Sequence, residues 1–330
     1  MPTNLPAEYY DAEERFKAAA TPEERVARLE DMLSTIPKHK GTDHLRADLR
    51  RKLSRLKEEA ARPQKGAARQ ISPFHIEREG AGQVALLGPP NSGKSSLLVA
   101  LTNAEPEVAP FPFTTWTPTP GMMAVEDIQV QLVDLPPLSE EYVEPQMLDL
   151  VRRADLVLLV LDIQGYPIQE LEDTLDLLAQ NRIAPVDYRP RYAEEARPPL
   201  FVPLLVVVNK VDDELWDEEF SVLCELLPGE LPILPLSAQS GRGVEAFKWT
   251  LFDRLEIMRV YSKPPRQEPD LSRPFVLPRG ATVEQFAAKV HRDFAEQLKT
   301  ARVWGTGVYD GQPVGRDHAL HDGDVVELHI

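Results

Sequence analysis

Hydrophobic residues change their spacing twice along this chain. Between residues 24 and 56 they recur at helical intervals: Val26, Leu29, Met32, Leu33 and Ile36, then Leu45, Leu49, Leu53 and Leu56 after Pro37 and Gly41. Thr21-Pro22-Glu23-Glu24 supplies an N-cap, a first-position proline and an acidic first turn. The spacing predicts two helices joined by a short turn, an N-terminal helical hairpin. From about Val84 to Met258 short aliphatic runs alternate with helical patterns. The runs are Val84–Leu87, Ile128–Val133, Leu156–Leu161, Leu204–Val208 and Ile233–Leu236. All but Ile128–Val133, which alternates with polar residues, are nearly continuous, as in strands covered on both faces. The pattern predicts an α/β domain, a mostly parallel sheet with helices on both faces. A last stretch predicts a small α+β unit: a strand at Phe275–Leu277, a helix from Thr282 to Leu298, and strands near Ala301–Trp304 and Val325–Ile330.

Proline-rich stretches at residues 62–73 and 263–269 mark linkers. The expected domains are therefore 1–79, 80–262 and 263–330, with a Pro- and Arg-containing loop at about 182–199. No apolar run approaches the roughly 20 residues that span a bilayer. The acidic, polar N-terminus does not read as a secretory signal. Cys224 is the only cysteine, which excludes an internal disulfide and leaves it as a buried or inert helix residue. A cytoplasmic protein, monomeric when free and without a membrane partner, is the expectation.

The formal net charge of −16 argues against whole-surface attraction to nucleic acid. The charge is uneven, however. Residues 38–69 hold eleven Lys and Arg against four Asp and Glu. This segment either docks on RNA phosphates or forms a solvated helix face.

The chemistry centres on Gly88-Pro89-Pro90-Asn91-Ser92-Gly93-Lys94-Ser95, which matches the phosphate-binding P-loop between a strand and a helix. Backbone N–H groups at the helix start, running on to Ser96, cradle phosphates. Lys94 adds a point charge, and the Ser95 hydroxyl suits Mg²⁺. Asn209-Lys210-Val211-Asp212 follows the run Leu204–Val208. A carboxylate at Asp212 accepts from guanine N1–H and the 2-amino group, a donor pair that adenine lacks. Ser237-Ala238-Gln239 follows the next buried run and offers backbone N–H to guanine O6. Within Phe111-Pro112-Phe113-Thr114-Thr115, Thr115 is the preferred hydroxyl for completing the Mg²⁺ shell, and Asp134 suits a water-mediated Mg²⁺ contact. Together these segments read as a site for GTP or GDP with Mg²⁺. The acidic run beyond Asp212 reads as a helix start. His291, His318, His321 and His329 read as solvated, and Trp304 as a core residue more than a base-stacking one, with Tyr309 the other stacking candidate.

At these residues the chain resembles the Obg-related GTPases, specifically the developmentally regulated GTP-binding (Drg) group. The P-loop through Ser96, Phe113-Thr114-Thr115, and the run Arg273-Pro274-Phe275-Val276-Leu277-Pro278-Arg279-Gly280 carry the resemblance. So do Val303-Trp304-Gly305, Val314–His318 and Asp322–Val326, which resemble the group's C-terminal TGS domain. Lys40–Leu45 resembles its N-terminal hairpin. The resemblance implies a P-loop GTPase fold followed by a β-grasp TGS domain, with RNA, ribosome or protein contact through the TGS domain and hairpin. It also implies K⁺ as a candidate cofactor, since Asn91 stands where K⁺-stimulated relatives coordinate that ion.

Three departures stand out. The family's Asp-x-Pro-Gly reads Asp134-Leu135-Pro136-Pro137 here, and Pro137 has no N–H to offer a γ-phosphate. The glycine-rich switch II that normally follows is replaced by Leu138-Ser139-Glu140-Glu141-Tyr142, with Leu138 where other GTPases carry a water-orienting glutamine, a replacement that Obg-type GTPases share. The group's bulky inserted subdomain is missing. Two readings follow. One is a slow Mg²⁺-dependent GTPase, with Lys94 and Thr115 as its active groups, switching on RNA or the ribosome. The other is a GTP/GDP-binding adaptor with little or no hydrolysis.

Overall fold

The computed structural model describes residues 74–102, 117–138, 144–227 and 229–330, with eight helical residues before them: Phe16, Arg28, Leu29, Met32, Leu33, Thr35, Leu49 and Lys52. The chain divides into two compact units, Met1–Ile71 and Ser72–Ile330. In the first, Leu29 and Met32 are buried and the Lys52 ammonium lies 4.9 Å from the Phe16 ring centroid. The expected hairpin turn, the basic segment apart from Leu49 and Lys52, and Thr114 and Thr115 lie outside the described residues.

The second unit contains two large sheets and a two-stranded one. The first has β1 (Gln83–Leu87), β2 (Thr119–Val125), β3 (Ile128–Asp134), β4 (Leu156–Asp162), β7 (Leu204–Asn209) and β8 (Ile233–Pro235) in the order β2-β3-β1-β4-β7-β8. Every neighbouring pair is parallel except β2 with β3. The period of two along each strand divides its side chains between two layers. Leu156, Leu158 and Val160 of β4 face a core built with α1 (Lys94–Leu101) and α5 (Val244–Arg254). Val157, Leu159 and Leu161 face the other core, with α2 (Pro145–Arg153), α3 (Pro167–Gln180) and α4 (Asp217–Leu226). Burial on both faces is why these strands carry unbroken aliphatic runs.

Strand β2 is absent from the sequence reading, because Pro120 and Gly121 interrupt its pattern. It is an edge strand, where a missing donor is tolerated. Gly121 is required there: a Cβ would stand 2.7 Å from the Thr102 hydroxyl. The stretch expected as a loop at 182–199 begins with β5 (Ile183–Pro185), passes through a 3₁₀ segment at Val186–Tyr192, and leads into β6 (Leu200–Val202), which pairs parallel with β5.

The second sheet runs β10-β9-β13-β11-β12, with β9 (Ile257–Ser262), β10 (Phe275–Pro278), β11 (Thr300–Trp304), β12 (Gln312–Val314) and β13 (Asp324–His329). One face covers α6 (Val283–Val290), whose Phe286 is fully buried. Thr282 and Gln285 cap that helix reciprocally. The single helix expected over 282–298 is two, because His291 is extended and caps α7 (Arg292–Gln297) through Nδ1. Strand β9 belongs to this second sheet, although the expected boundary placed it in the preceding domain. Its contiguity with α5 hides that from the sequence. Trp304 lies half-buried on the side of β11 away from the core residues Ala301 and Val303, with the Lys263 ammonium 5.0 Å from its ring centroid. Cys224 is exposed on α4, not buried. Among the described residues, no helix is long and apolar enough to cross a membrane.

Candidate functional site

The C-terminal ends of β1, β3, β4 and β7 bring the separate motifs together. The loop Gly88–Gly93 leaves β1 and enters α1 through Gly93, whose φ is 91°. A Cβ on Gly93 would stand 2.3 Å from Asn209 Nδ2, and one on Gly88 2.3 Å from the Val160 carbonyl. Both glycines are therefore demanded by close approach. Asn91 has φ 64° at the exposed turn of the loop. Pro89 and Pro90 have no N–H, so the donors of the loop begin at Asn91. Helix α1 has no side-chain cap and no acidic residue in its first turn. Its leading N–H groups and positive dipole end thus favour an anion, within a domain rich in carboxylates.

Lys94 is buried and donates through Nζ to the Gly88 and Pro89 carbonyls at 2.9 and 2.8 Å. Burial lowers its pKa to about 8, while Asp134 and Glu170 pull it back upward. Ser95 Oγ donates to Asp134 Oδ2 at 2.6 Å. Asp134 Oδ1 is buried without a partner among the described residues. Burial raises the Asp134 pKa, partly opposed by Ser95 and Lys94. A hydroxyl and a carboxylate with one unsatisfied oxygen, beside a phosphate-type loop, fit a hard oxygen-seeking cation such as Mg²⁺.

The segments expected to read the base form one hydrogen-bonded unit. Asn209, 2% exposed, donates through Nδ2 to the Ser92 carbonyl at 3.0 Å and accepts from Ala238 N through Oδ1 at 3.0 Å. It therefore ties the P-loop to the loop after β8. Ser237, fully buried, donates to Asp212 Oδ1 at 2.6 Å and accepts from Ser240 N at 2.9 Å. That leaves Asp212 Oδ2 for a ligand. Gln239 is exposed beside Ala238. Of the residues proposed from sequence, the structure joins Lys94 with Gly88 and Pro89, Ser95 with Asp134, Asn209 with Ser92 and Ala238, and Ser237 with Asp212; Ser96 is exposed on α1 beside Ser95.

Other residues around the site escaped the sequence reading. Arg242 donates to the Asp213 carbonyl and to Asp217 Oδ2, both at 2.7 Å, bracing the segment after Asp212. Asp213 caps the short turn Glu214–Trp216, and Asp217, Glu218 and Glu219 open α4, so the acidic run is a helix start as expected. Asp162 ends β4 beside Asn209 and pairs with Lys210. One signal was available: a polar residue closing an aliphatic run, as Asp134 and Asn209 do. Pro136 is buried, Pro137 half-buried, and Leu138 buried.

Comparison with known proteins agrees with this geometry. A family profile described as 50S ribosome-binding GTPase matches residues 83–210, and one described as TGS domain matches 258–330. An uncharacterized GTP-binding protein of Methanocaldococcus jannaschii is 30% identical, covering 93% of each chain. Developmentally-regulated GTP-binding protein 1 of Xenopus laevis is 27% identical, covering 92% of this chain and 98% of that protein. In the first comparison 93% of this chain spreads over 366 aligned positions, so that relative holds residues this chain lacks. The YchF GTPase of Schizosaccharomyces pombe shares the fold at a TM-score of 0.54 and 13% identity, over 77% of this chain and 100% of that one.

Proposed function

We propose that this chain, which belongs to the Drg-type family of GTP-binding proteins, binds GTP and GDP at the β1–α1 loop and hydrolyses GTP slowly as a ribosome- or RNA-associated switch. The observation that carries nucleotide binding is the Asn209 staple, which holds the phosphate loop and the guanine loop in one rigid frame. Asp212, oriented by Ser237, reads guanine N1–H and the 2-amino group. Ala238 N–H already bonds Asn209 and Ser240 N–H bonds Ser237, so the Gln239 amide between them serves O6. Lys94 and the amides from Asn91 to Ser96 hold the phosphates. Ser95 and Asp134, joined by Thr115, would hold Mg²⁺, which when bound would supply positive charge to the phosphates. Asn91 is the residue of this loop for K⁺.

Water attack on the γ-phosphate needs a donor frame and a positioned water. Lys94 supplies charge neutralisation. Leu138 supplies no polar group, and Pro136 and Pro137 supply no amide, so turnover is slow. These prolines favour the second reading, a nucleotide-binding adaptor. Single-turnover phosphate release in K⁺ and then Na⁺ buffer decides between them: release above the uncatalysed level supports the GTPase. The basic segment 38–69 and the TGS unit provide the docking surfaces for RNA, with association that weakens steeply with salt.

Base choice is tested by Asp212→Asn, which exchanges an acceptor for a donor. Preference shifts from guanine toward xanthine nucleotides. Unchanged GDP affinity in that variant removes the assignment.

A further inference from the structure

The loop that leaves β4 grips the base motif at three points outside the motif itself. Asp162 is the register partner of Asn209 across the β4–β7 ladder. Its Oδ2 accepts from Lys210 Nζ at 2.5 Å, with the carboxylate 15% and the ammonium side chain 34% exposed. Ile163 N donates to the Asn209 carbonyl at 3.2 Å, and Gln164 Nε2 to the Lys210 carbonyl at 3.3 Å. Asp162 is itself braced. Its Oδ1 accepts from Gln164 N at 3.0 Å, and its N–H donates to Glu170 Oε2 at 3.1 Å. Lys210 has φ 66°, a left-handed conformation that a lysine holds only where its surroundings impose it.

We propose that Asp162 is a positioning residue for guanine-nucleotide binding: its carboxylate, braced by the Gln164 amide on a backbone that Glu170 holds, fixes Lys210 so that the lysine stem lies in place for the base before ligand arrives. The inference rests on the nucleotide reading above. A lysine has four rotatable bonds to order on binding. An ion pair that orders them beforehand raises affinity by preorganisation, without adding a contact to the ligand. Because Asp212 still makes the donor-reading contacts, Asp162 contributes to affinity and not to the choice of base.

The test uses the full chain and fluorescent GDP, with Asp162→Asn, Lys210→Met and the double variant. Asp162→Asn is expected to raise the Kd about tenfold, the loss of one charge-assisted contact. The double variant is expected to bind no worse than Lys210→Met, since both substitutions remove the same interaction. The ratio of GDP to inosine diphosphate affinity stays as in the wild type. Thermal unfolding without nucleotide separates positioning from general damage: the melting temperature of Asp162→Asn stays near that of the wild type. Additive losses in the double variant, or a changed base ratio, overturn the inference while leaving nucleotide binding intact. A wild-type chain that binds no guanine nucleotide overturns both.

Discussion

Ser95 Oγ donates to one oxygen of Asp134 at 2.6 Å, while the other oxygen of Asp134 is buried without a partner among the described residues. A buried carboxylate oxygen in that state is stabilised by a cation more than by anything else within its reach. Asp134→Asn retains the shape and removes the charge. The Mg²⁺ concentration needed for half-maximal GTP binding then rises about tenfold or more, read by titrating Mg²⁺ against fluorescent GTP. GDP binding in the presence of a chelator stays unchanged. An unaltered Mg²⁺ requirement would falsify the role of Asp134.

Lys94 gives a pH dependence with a definite sign. Its pKa in the folded protein is about 8, lowered by burial. Bound phosphate raises it, so binding takes up a proton above that pH. Affinity is flat below about pH 8 and falls by up to about tenfold per unit above it. Equilibrium titrations from about pH 7 to about pH 8.5, below the range in which guanine N1–H ionises, follow the change. A flat profile across that window contradicts the prediction.

Gly93→Ala strikes the frame instead of the ligand. The new Cβ lies 2.3 Å from Asn209 Nδ2, at a φ of 91°. The amide of Asn209 must move and release the Ser92 carbonyl. The expected loss is about 2–3 kcal/mol of nucleotide affinity, near a hundredfold. Gly241→Ala, also at positive φ but in open space, is the control and loses far less.

Arg259 of β9 links the two sheets. It is 14% exposed, donates to Asp322 at 2.7 Å and to Asp127 at 3.0 Å, and lies over the Phe252 ring at 5.3 Å. Tyr261 adds a 2.5 Å bond to Asp127, and burial with that bond pushes its hydroxyl up to about 12. Arg259→Ala leaves two carboxylates without their shared partner and is expected to cost about 2–4 kcal/mol. Urea unfolding followed by tryptophan fluorescence measures it. Asp127 stands at the turn before β3, whose far end is Asp134, so the same substitution reports whether the two sheets unfold together.

Pro137→Gly restores a backbone donor where the chain has none. If the missing donor limits hydrolysis, single-turnover phosphate release accelerates about tenfold or more. An unchanged rate places the limitation elsewhere.

Several features were legible from residue types alone. The buried strands of the first sheet were readable because burial on both faces demands continuous aliphatic runs, and β1, β4 and β7 have them. The P-loop, Asn209–Asp212 and Ser237–Gln239 were readable because each closes or follows such a run. Strands β2 and β9 were not. Pro120 and Gly121 are tolerated only because β2 is an edge, and β9 reveals its sheet only through partners at Phe275 and Asp324. His291 breaks a helical pattern by capping the next helix with its own imidazole.

By itself, the sequence determined the buried strands of the first sheet, the phosphate loop and the Asn209–Asp212 motif, because these depend on local spacing and on chemistry that few residue types can perform. It also showed that Pro137 withholds a donor, since that follows from covalent structure. Only the tertiary structure decided which polar groups share an environment. It left one oxygen of Asp134 unsatisfied, lowered the pKa of Lys94, joined Asn209 to Ser92 and Ala238, and placed Asp162 against Lys210. Those relations depend on which strand ends lie side by side, and the β4–β7 register that sets them is a property of the sheet.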